Sequence, residues 1–305
     1  MSPKFAFLDG EFVEWEKATV HITCHAFLYG TAVFGGIRGY WNEDAKQIYI
    51  LRLPDHYARM HDSARIMLID IKHSPEELIE ITRELIRKNG FQSDVYVRPV
   101  AFKNVNPRVV GIDVTGVSDS FCMFALPFGA YVDLEKGLRI CTSSWLRIDD
   151  NMIPARGKVN GAYVNSALAK SEATMNGFDE CIMLTKNGFV AEGSAMNIMI
   201  VRNGTIITSP LYDDILEGIV RRSILQIASD LGIPTEVRSI QRTELYVCDE
   251  AFFCGTGAQV APIAEIDHRK IKNSTHPIST KIQKAFFDIV RGRNDAYKHW
   301  LTPVY

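Results

Sequence analysis

Lys158 stands in the stretch "RGKVNGAYVNSALAKSEA", just ahead of a helical run of small residues. A lone loop lysine is most often solvated, and its amine becomes a covalent catalyst only when its surroundings support it. Three other stretches offer that support. Glu192, in "VAEGSAMNIMIV", ends an apolar strand-like run, where a carboxylate is either a surface turn residue or an acid with a task. Gly218, Ile219 and Val220 open a helical pattern whose free N–H groups and dipole suit a phosphate. An ordinary helix start has the same pattern. "CGTGA", around Thr256, adds a hydroxyl and further N–H groups in a glycine turn. A lysine, an acid and two sets of N–H donors match what pyridoxal 5′-phosphate needs: an amine for its aldehyde, an acid for its ring nitrogen, and N–H groups with an arginine for its phosphate. Spacing alone does not select this combination from the many others the chain could form.

Other motifs carry less. There is no Walker A loop, H-E-x-x-H or G-x-S-x-G. "GTGAQV" lacks the third glycine of a dinucleotide fingerprint. "HITCH" gathers His21, Cys24 and His25, but without a second ligand cluster local packing explains it better than zinc. The six cysteines form no C-x-x-C pair and sit in apolar or strand-like runs, so they read as reduced, mostly buried thiols. No metal site is expected.

The elements that must position these residues alternate irregularly. "SPEELIEITRELIRKNG" is a helix with Ser74 as N-cap, Pro75 in the first turn, Glu77 closing a capping box and Asn89-Gly90 as the stop. "LPDHYARMHDSARIML" is a second helix, entered through Pro54 and Asp55. "DVYVRPVAF" is a strand, so Tyr96 and Arg98 point to one face. "FCMFALPFGAY" and "LRICTSSW" are further strands. A helix runs from about Ala162 to Met175, and another from Gly218 to the stop at Gly232. Two Asn-Gly turns between Asp179 and Ser209 predict consecutive hairpins. Each half mixes strands and helices without strict βαβ order, which gives an α+β or mixed α/β fold rather than a doubly wound one. The composition of "PFGAYVDLEKG" sets the division: residues 1–128, a linker at 129–137, and residues 138–305.

Composition narrows the function classes. With 47% hydrophobic and 23% charged residues over 305 positions, the chain has the balance of a two-domain globular protein. A formal net charge of -2 gives no general pull toward nucleic acid or an anionic membrane. No apolar run reaches a membrane span, and the acidic N-terminal stretch lacks a signal-peptide core, so a cytoplasmic location is expected.

The chain resembles the branched-chain aminotransferases, within the class IV, fold-type IV pyridoxal-phosphate enzymes. The resemblance runs through "FLDGEFV", "YGTAVFGGIRGY", "DHYARMHDSARIM", "VYVRPVAF", "PFGAYV", "KVNGAYVNSALA", "EGSAMNIMIV", "LEGIVRRSI", "GTGAQVAPI" and "HWLTPVY". It implies a small N-terminal and a larger C-terminal domain, and a homodimer with active sites shared across the interface. It implies that Lys158 forms the Schiff base and moves the proton between substrate Cα and cofactor C4′. Tyr163 would reach the 3′-oxygen and Glu192 the pyridine nitrogen. Arg59, the Ile219 and Val220 amides and Thr256 would hold the phosphate. For the substrate it implies Tyr29, Phe34, Tyr96, Arg98 and Tyr131 around the side chain, with Arg98 on a distal carboxylate and the Gly257 and Ala258 amides on the α-carboxylate. Arg108, in "NPRVVG", lies in a loop that borders this pocket in relatives, and two readings stand for it: a second carboxylate contact or a solvated side chain. The expected reaction is ping-pong transamination of L-leucine, L-isoleucine and L-valine with 2-oxoglutarate.

The sequence departs from the family pattern at Gly35, where glutamate is usual, at Ala195 and Met196 in "EGSAMNI", and in "GTGAQV". These departures keep other readings in view: an (R)-selective amine or D-amino acid transaminase of the same fold, an aminodeoxychorismate lyase, or a catalytically silent protein that binds the cofactor.

Overall fold

A computed structural model describes residues 3–106, 110–129 and 136–305. Arg108 and Tyr131 lie outside the described residues. The chain divides into two units, one of Met1–Gly129, Gly157–Gly161 and Ile289–Tyr305, the other of Ala130–Arg156 and Ala162–Asp288. The tail and the Lys158 segment therefore belong with the first unit, whereas the sequence places both in the second half. For the tail the reason is strand pairing: Leu301–Pro303 pairs antiparallel with the strand Gln47–Leu51, Leu301 opposite Leu51.

In the first unit, β1 (Phe5–Leu8) and β2 (Glu11–Glu14) form a hairpin, followed by α1 (His25–Tyr29) and β3 (Ala32–Phe34). A second hairpin, β4 (Ile37–Asn42) and β5 (Gln47–Leu51), leads into α2 (Leu53–Ile66) and α3 (Pro75–Asn89). β6 (Val95–Lys103) and β7 (Asp119–Pro127) then pair along their whole length. The sheet runs tail strand, β5, β4, β6, β7, β1, β2, with β3 on β6. α3 has the expected ends: Ser74 Oγ accepts the Glu77 amide, Glu77 accepts the Ser74 amide at 2.7 Å, and Gly90 turns left-handed at φ 67°. β6 alternates as its sequence predicts. Val95 and Val97 are buried on one face, while Tyr96 and Arg98 stand half-buried on the other. β7 ends at Pro127, short of the expected strand, because a proline cannot continue the ladder as a donor.

In the second unit, β8 (Leu138–Thr142) stops before "SSW", and α4 (Tyr163–Met175) follows a short 3-10 turn at Asn160–Ala162. β9 (Glu180–Leu184) and β10 (Val190–Gly193) form the first Asn-Gly hairpin, and β11 (Asn197–Arg202) and β12 (Thr205–Thr208) the second. At the second turn both Asn203 and Gly204 have positive φ, 49° and 79°, the geometry that asparagine and glycine tolerate best. α5 (Ile219–Asp230) precedes β13 (Thr235–Val237), β14 (Glu250–Gly255) and β15 (Gln259–Ile266). The sheet runs β10, β9, β8, β15, β14, β11, β12, β13. Parallel pairs at β8–β9, β8–β15 and β12–β13 sit among antiparallel ones, so this sheet is mixed. Ile140, Ile182, Ile198, Phe253 and Ile263 meet in its core.

Candidate active site

The first unit holds Lys158 by backbone. Its carbonyl accepts the Phe34 amide at 3.0 Å, Val159 bridges to Val33, and the Gly161 amide donates to the Gly30 carbonyl at 3.1 Å. Gly30 has φ 73°, and a Cβ there would stand 2.9 Å from Gly161 Cα, so this close crossing of two chain segments requires glycine. The Lys158 amide donates to Ser63 Oγ at 3.1 Å, and that hydroxyl donates to the Arg59 carbonyl at 2.8 Å. Arg59 and Lys158 are thus tied through one buried serine on α2.

Phe34 organises the side chains around them. The Lys158 ammonium lies 4.8 Å from the Phe34 ring centroid and the Arg98 guanidinium 4.3 Å from it. An aromatic face attracts each cation and fixes its direction. Tyr96, two residues before Arg98 on the same face of β6, accepts hydrogen bonds from Arg98 Nε at 2.9 Å and Nη2 at 2.7 Å. The Tyr96 and Phe128 rings stand 5.1 Å apart. A Cβ at Gly36 would stand 2.9 Å from the Tyr96 hydroxyl and one at Gly35 2.7 Å from Pro99 Cγ, so the "GG" of "VFGGIR" leaves room for these residues. Tyr29, at the end of α1, is 40% exposed, its ring 4.7 Å from that of His25. His25 bonds Thr31 Oγ1 and the Gly111 carbonyl, His21 bonds Thr23, and Cys24 Sγ donates to the Lys103 carbonyl.

The second unit holds the carboxylate and the helix start. Glu192, on β10, is 4% exposed. Its Oε1 pairs with Arg147 Nη2 at 2.8 Å, its Oε2 accepts Asn197 Nδ2 at 2.8 Å, and the Leu216 amide lies 3.3 Å from both oxygens. Charge compensation and N–H donors make a buried carboxylate tenable as an anion. Ile219 and Val220 are the first residues of α5, and the N-cap, Gly218, places no side chain over their amides. Tyr163 opens α4 and is half-buried. Thr256, Gly257 and Ala258 form the turn between β14 and β15, closed by the Gly255–Gln259 pair.

These residues fit pyridoxal 5′-phosphate on the structure's own terms. The buried, cation-compensated Glu192 suits a protonated ring nitrogen. The start of α5, left uncovered by a glycine cap, suits a phosphate. Sequence reasoning did not find Ser63, Arg147 or Asn197. Ser63 follows Arg59 by one helical turn, which is a local signal; Arg147 and Asn197 carry none.

Comparison with known proteins follows the same direction. The family described as amino-transferase class IV matches residues 32–266. A probable branched-chain-amino-acid aminotransferase of Aquifex aeolicus is 48% identical, covering 100% of this chain and 98% of its own. The crystal structure of a branched-chain aminotransferase from Thermoproteus uzoniensis with norvaline superposes with a TM-score of 0.95 at 44% identity, covering 100% of both chains. The Thermobaculum terrenum branched-chain amino acid aminotransferase in its PLP form gives 0.94 at 37% identity, covering 100% of this chain and 99% of that one.

Proposed function

The chain belongs to the class IV aminotransferases and uses pyridoxal 5′-phosphate, and on that premise we propose that it exchanges the amino group of L-leucine, L-isoleucine or L-valine with 2-oxoglutarate. The observation that carries this reading is the Phe34 ring, which borders both the Lys158 amine and the Arg98 guanidinium. An aromatic wall suits an aliphatic side chain, and a guanidinium suits the second carboxylate of the dicarboxylic partner. One wall thus serves two substrates that differ in polarity.

When bound, the cofactor supplies an aldehyde that condenses with amines and a ring that accepts the electron pair left when a Cα–H bond breaks. Lys158 Nζ would hold the aldehyde between turnovers and would move the proton released at substrate Cα. Glu192 keeps a proton on the ring nitrogen, with Arg147 balancing its charge. Arg59, the Ile219 and Val220 amides and Thr256 bind the phosphate, and the Tyr163 hydroxyl meets the 3′-oxygen. The Gly257 and Ala258 amides orient the α-carboxylate. Tyr29, Tyr96 and Tyr131 complete the assignment around the side chain, with Arg108 assigned to the border of the pocket.

Assembly as a homodimer, with Tyr29 serving the partner's site, has support in each unit. Phe27 on α1 is 71% exposed, and Val164, Leu168 and Met175 share an exposed apolar face of α4. Sedimentation velocity tests this: a monomer at micromolar concentration contradicts it. Buried free thiols support residence in a reducing cytoplasm. No helix among the described residues is long and apolar enough to cross a membrane.

The central test is a half-reaction. Added L-leucine should shift the absorbance of the bound cofactor, and 2-oxoglutarate should restore it. Lys158→Ala should abolish both turnover and borohydride trapping of the cofactor. Normal turnover in that variant would sink the assignment. A response to (R)-1-phenylethylamine matching that to L-leucine would transfer the function to amines.

A further inference from the structure

We propose that Asn197 is a positioning residue: its side-chain amide, fixed in place by the bare Cα of Gly218, sets the orientation of the Glu192 carboxylate. This rests on the reading of Glu192 as the partner of the cofactor's ring nitrogen.

Asn197 opens β11, directly across the turn from Glu192, and is 5% exposed. Its Nδ2 donates both to Glu192 Oε2 at 2.8 Å and to the Leu216 carbonyl at 3.1 Å. The Leu216 amide in turn approaches both Glu192 oxygens. A single amide therefore joins the carboxylate to the segment that leads into α5. Nδ2 faces these two acceptors, so Oδ1 faces the other way, toward Gly218. A Cβ on Gly218 would strike Oδ1 well inside van der Waals contact, with Arg221 Cβ a milder neighbour at 3.3 Å.

Gly218 does not need glycine for its backbone. Its φ of -70° and ψ of 128° are open to any residue. The absence of a side chain there is explained by Asn197 instead. A terminal side-chain atom can usually swing aside, but this one is buried and held by two hydrogen bonds on its other branch. Moving Oδ1 means rotating Nδ2 away from Glu192. Gly218→Ala should therefore disturb Glu192 without touching it.

The test reconstitutes full-length wild type, Gly218→Ala, Asn197→Ala and the double variant. Each is loaded with pyridoxal 5′-phosphate, or with its deaza analogue in which carbon replaces the ring nitrogen. Wild type should prefer the natural cofactor. Each single variant should weaken binding of the natural cofactor about tenfold or more, the scale of a hydrogen bond to a charged group, and change the analogue by less than about threefold. The double variant should bind no worse than Asn197→Ala, because the added methyl occupies the vacated space.

Equal weakening toward both cofactors would make Asn197 a merely structural residue. Additive losses in the double variant, or wild-type behaviour of Gly218→Ala, would remove the coupling. If Asn197→Ala does not fold, Gly218→Ala with the two cofactors decides alone. A wild type that binds both cofactors equally would instead overturn the assignment of Glu192 itself.

Discussion

The Lys158 amide donates to the Ser63 hydroxyl at 3.1 Å, although 95 positions separate the two residues. The same hydroxyl donates to the Arg59 carbonyl. The proposed phosphate ligand and the proposed covalent residue are therefore linked by one side chain. Ser63→Ala should take away the acceptor of the half-buried Lys158 amide, at a cost of about 1–3 kcal/mol, while the Arg59 carbonyl keeps its bond within the helix. Thermal unfolding checks the loss, and equilibrium dialysis should show weaker cofactor retention with the Lys158 amine intact. Unchanged retention would mean the spacing is held elsewhere.

The proposed role of Arg98 is to divide the two substrates. Stacked on Phe34 and bonded twice to Tyr96, it presents a fixed guanidinium fork. Arg98→Lys keeps the charge and removes the fork. The KM for 2-oxoglutarate should rise about 10- to 100-fold, matching the loss of a charge-assisted pair, while the L-leucine half-reaction rate stays within about threefold. Equal damage to both half-reactions would place Arg98 in general folding rather than in recognition of the second carboxylate.

What could be read from the sequence was what local rules decide. The ends of α3, the period-two face of β6 and the Asn203-Gly204 turn depend on residues a few positions apart, and each formed as predicted. Lys158 and Glu192 stood out as candidates beside ordinary readings, and their proposed roles came from the resemblance to the branched-chain aminotransferases, since spacing alone does not single them out. Arg147 and Asn197 were not visible, because an ordinary arginine or asparagine acquires its task only from partners brought by the fold, and Ser63 showed only its place one helical turn after Arg59. The tail is the clearest case: "LTPV" is too short for its composition to show that it would pair with β5.

Gly36 tests whether the Tyr96–Arg98 pair matters as a pair. A Cβ there would stand 2.9 Å from the Tyr96 hydroxyl and push it off the guanidinium. Gly36→Ala should raise the KM for 2-oxoglutarate as Arg98→Lys does, by a smaller factor. In a Tyr96→Phe background the methyl meets no hydroxyl, so Gly36→Ala should add little. Steady-state kinetics of the single and double variants read this out directly. Additive effects would show that the glycine serves the backbone.

The cysteines should be chemically silent in the folded protein. Burial pushes the Cys254, Cys248 and Cys122 thiols up to about 12 and Cys141 to about 11, and raises Cys181 as well. The thiolate is the nucleophile, so a raised pKa leaves little of the reactive form at pH 8, and burial blocks the reagent besides. Iodoacetamide at pH 8 should therefore leave Cys122, Cys141, Cys181, Cys248 and Cys254 unmodified in the native enzyme and label them in urea, as mapped by peptide mass. The sign of the pH effect follows: native labelling should grow only as pH climbs toward these raised values, and activity at pH 8 should survive the reagent. Rapid loss of activity on alkylation at that pH would place a reactive thiol within the catalytic machinery and contradict the assignment of nucleophilic chemistry to Lys158 alone.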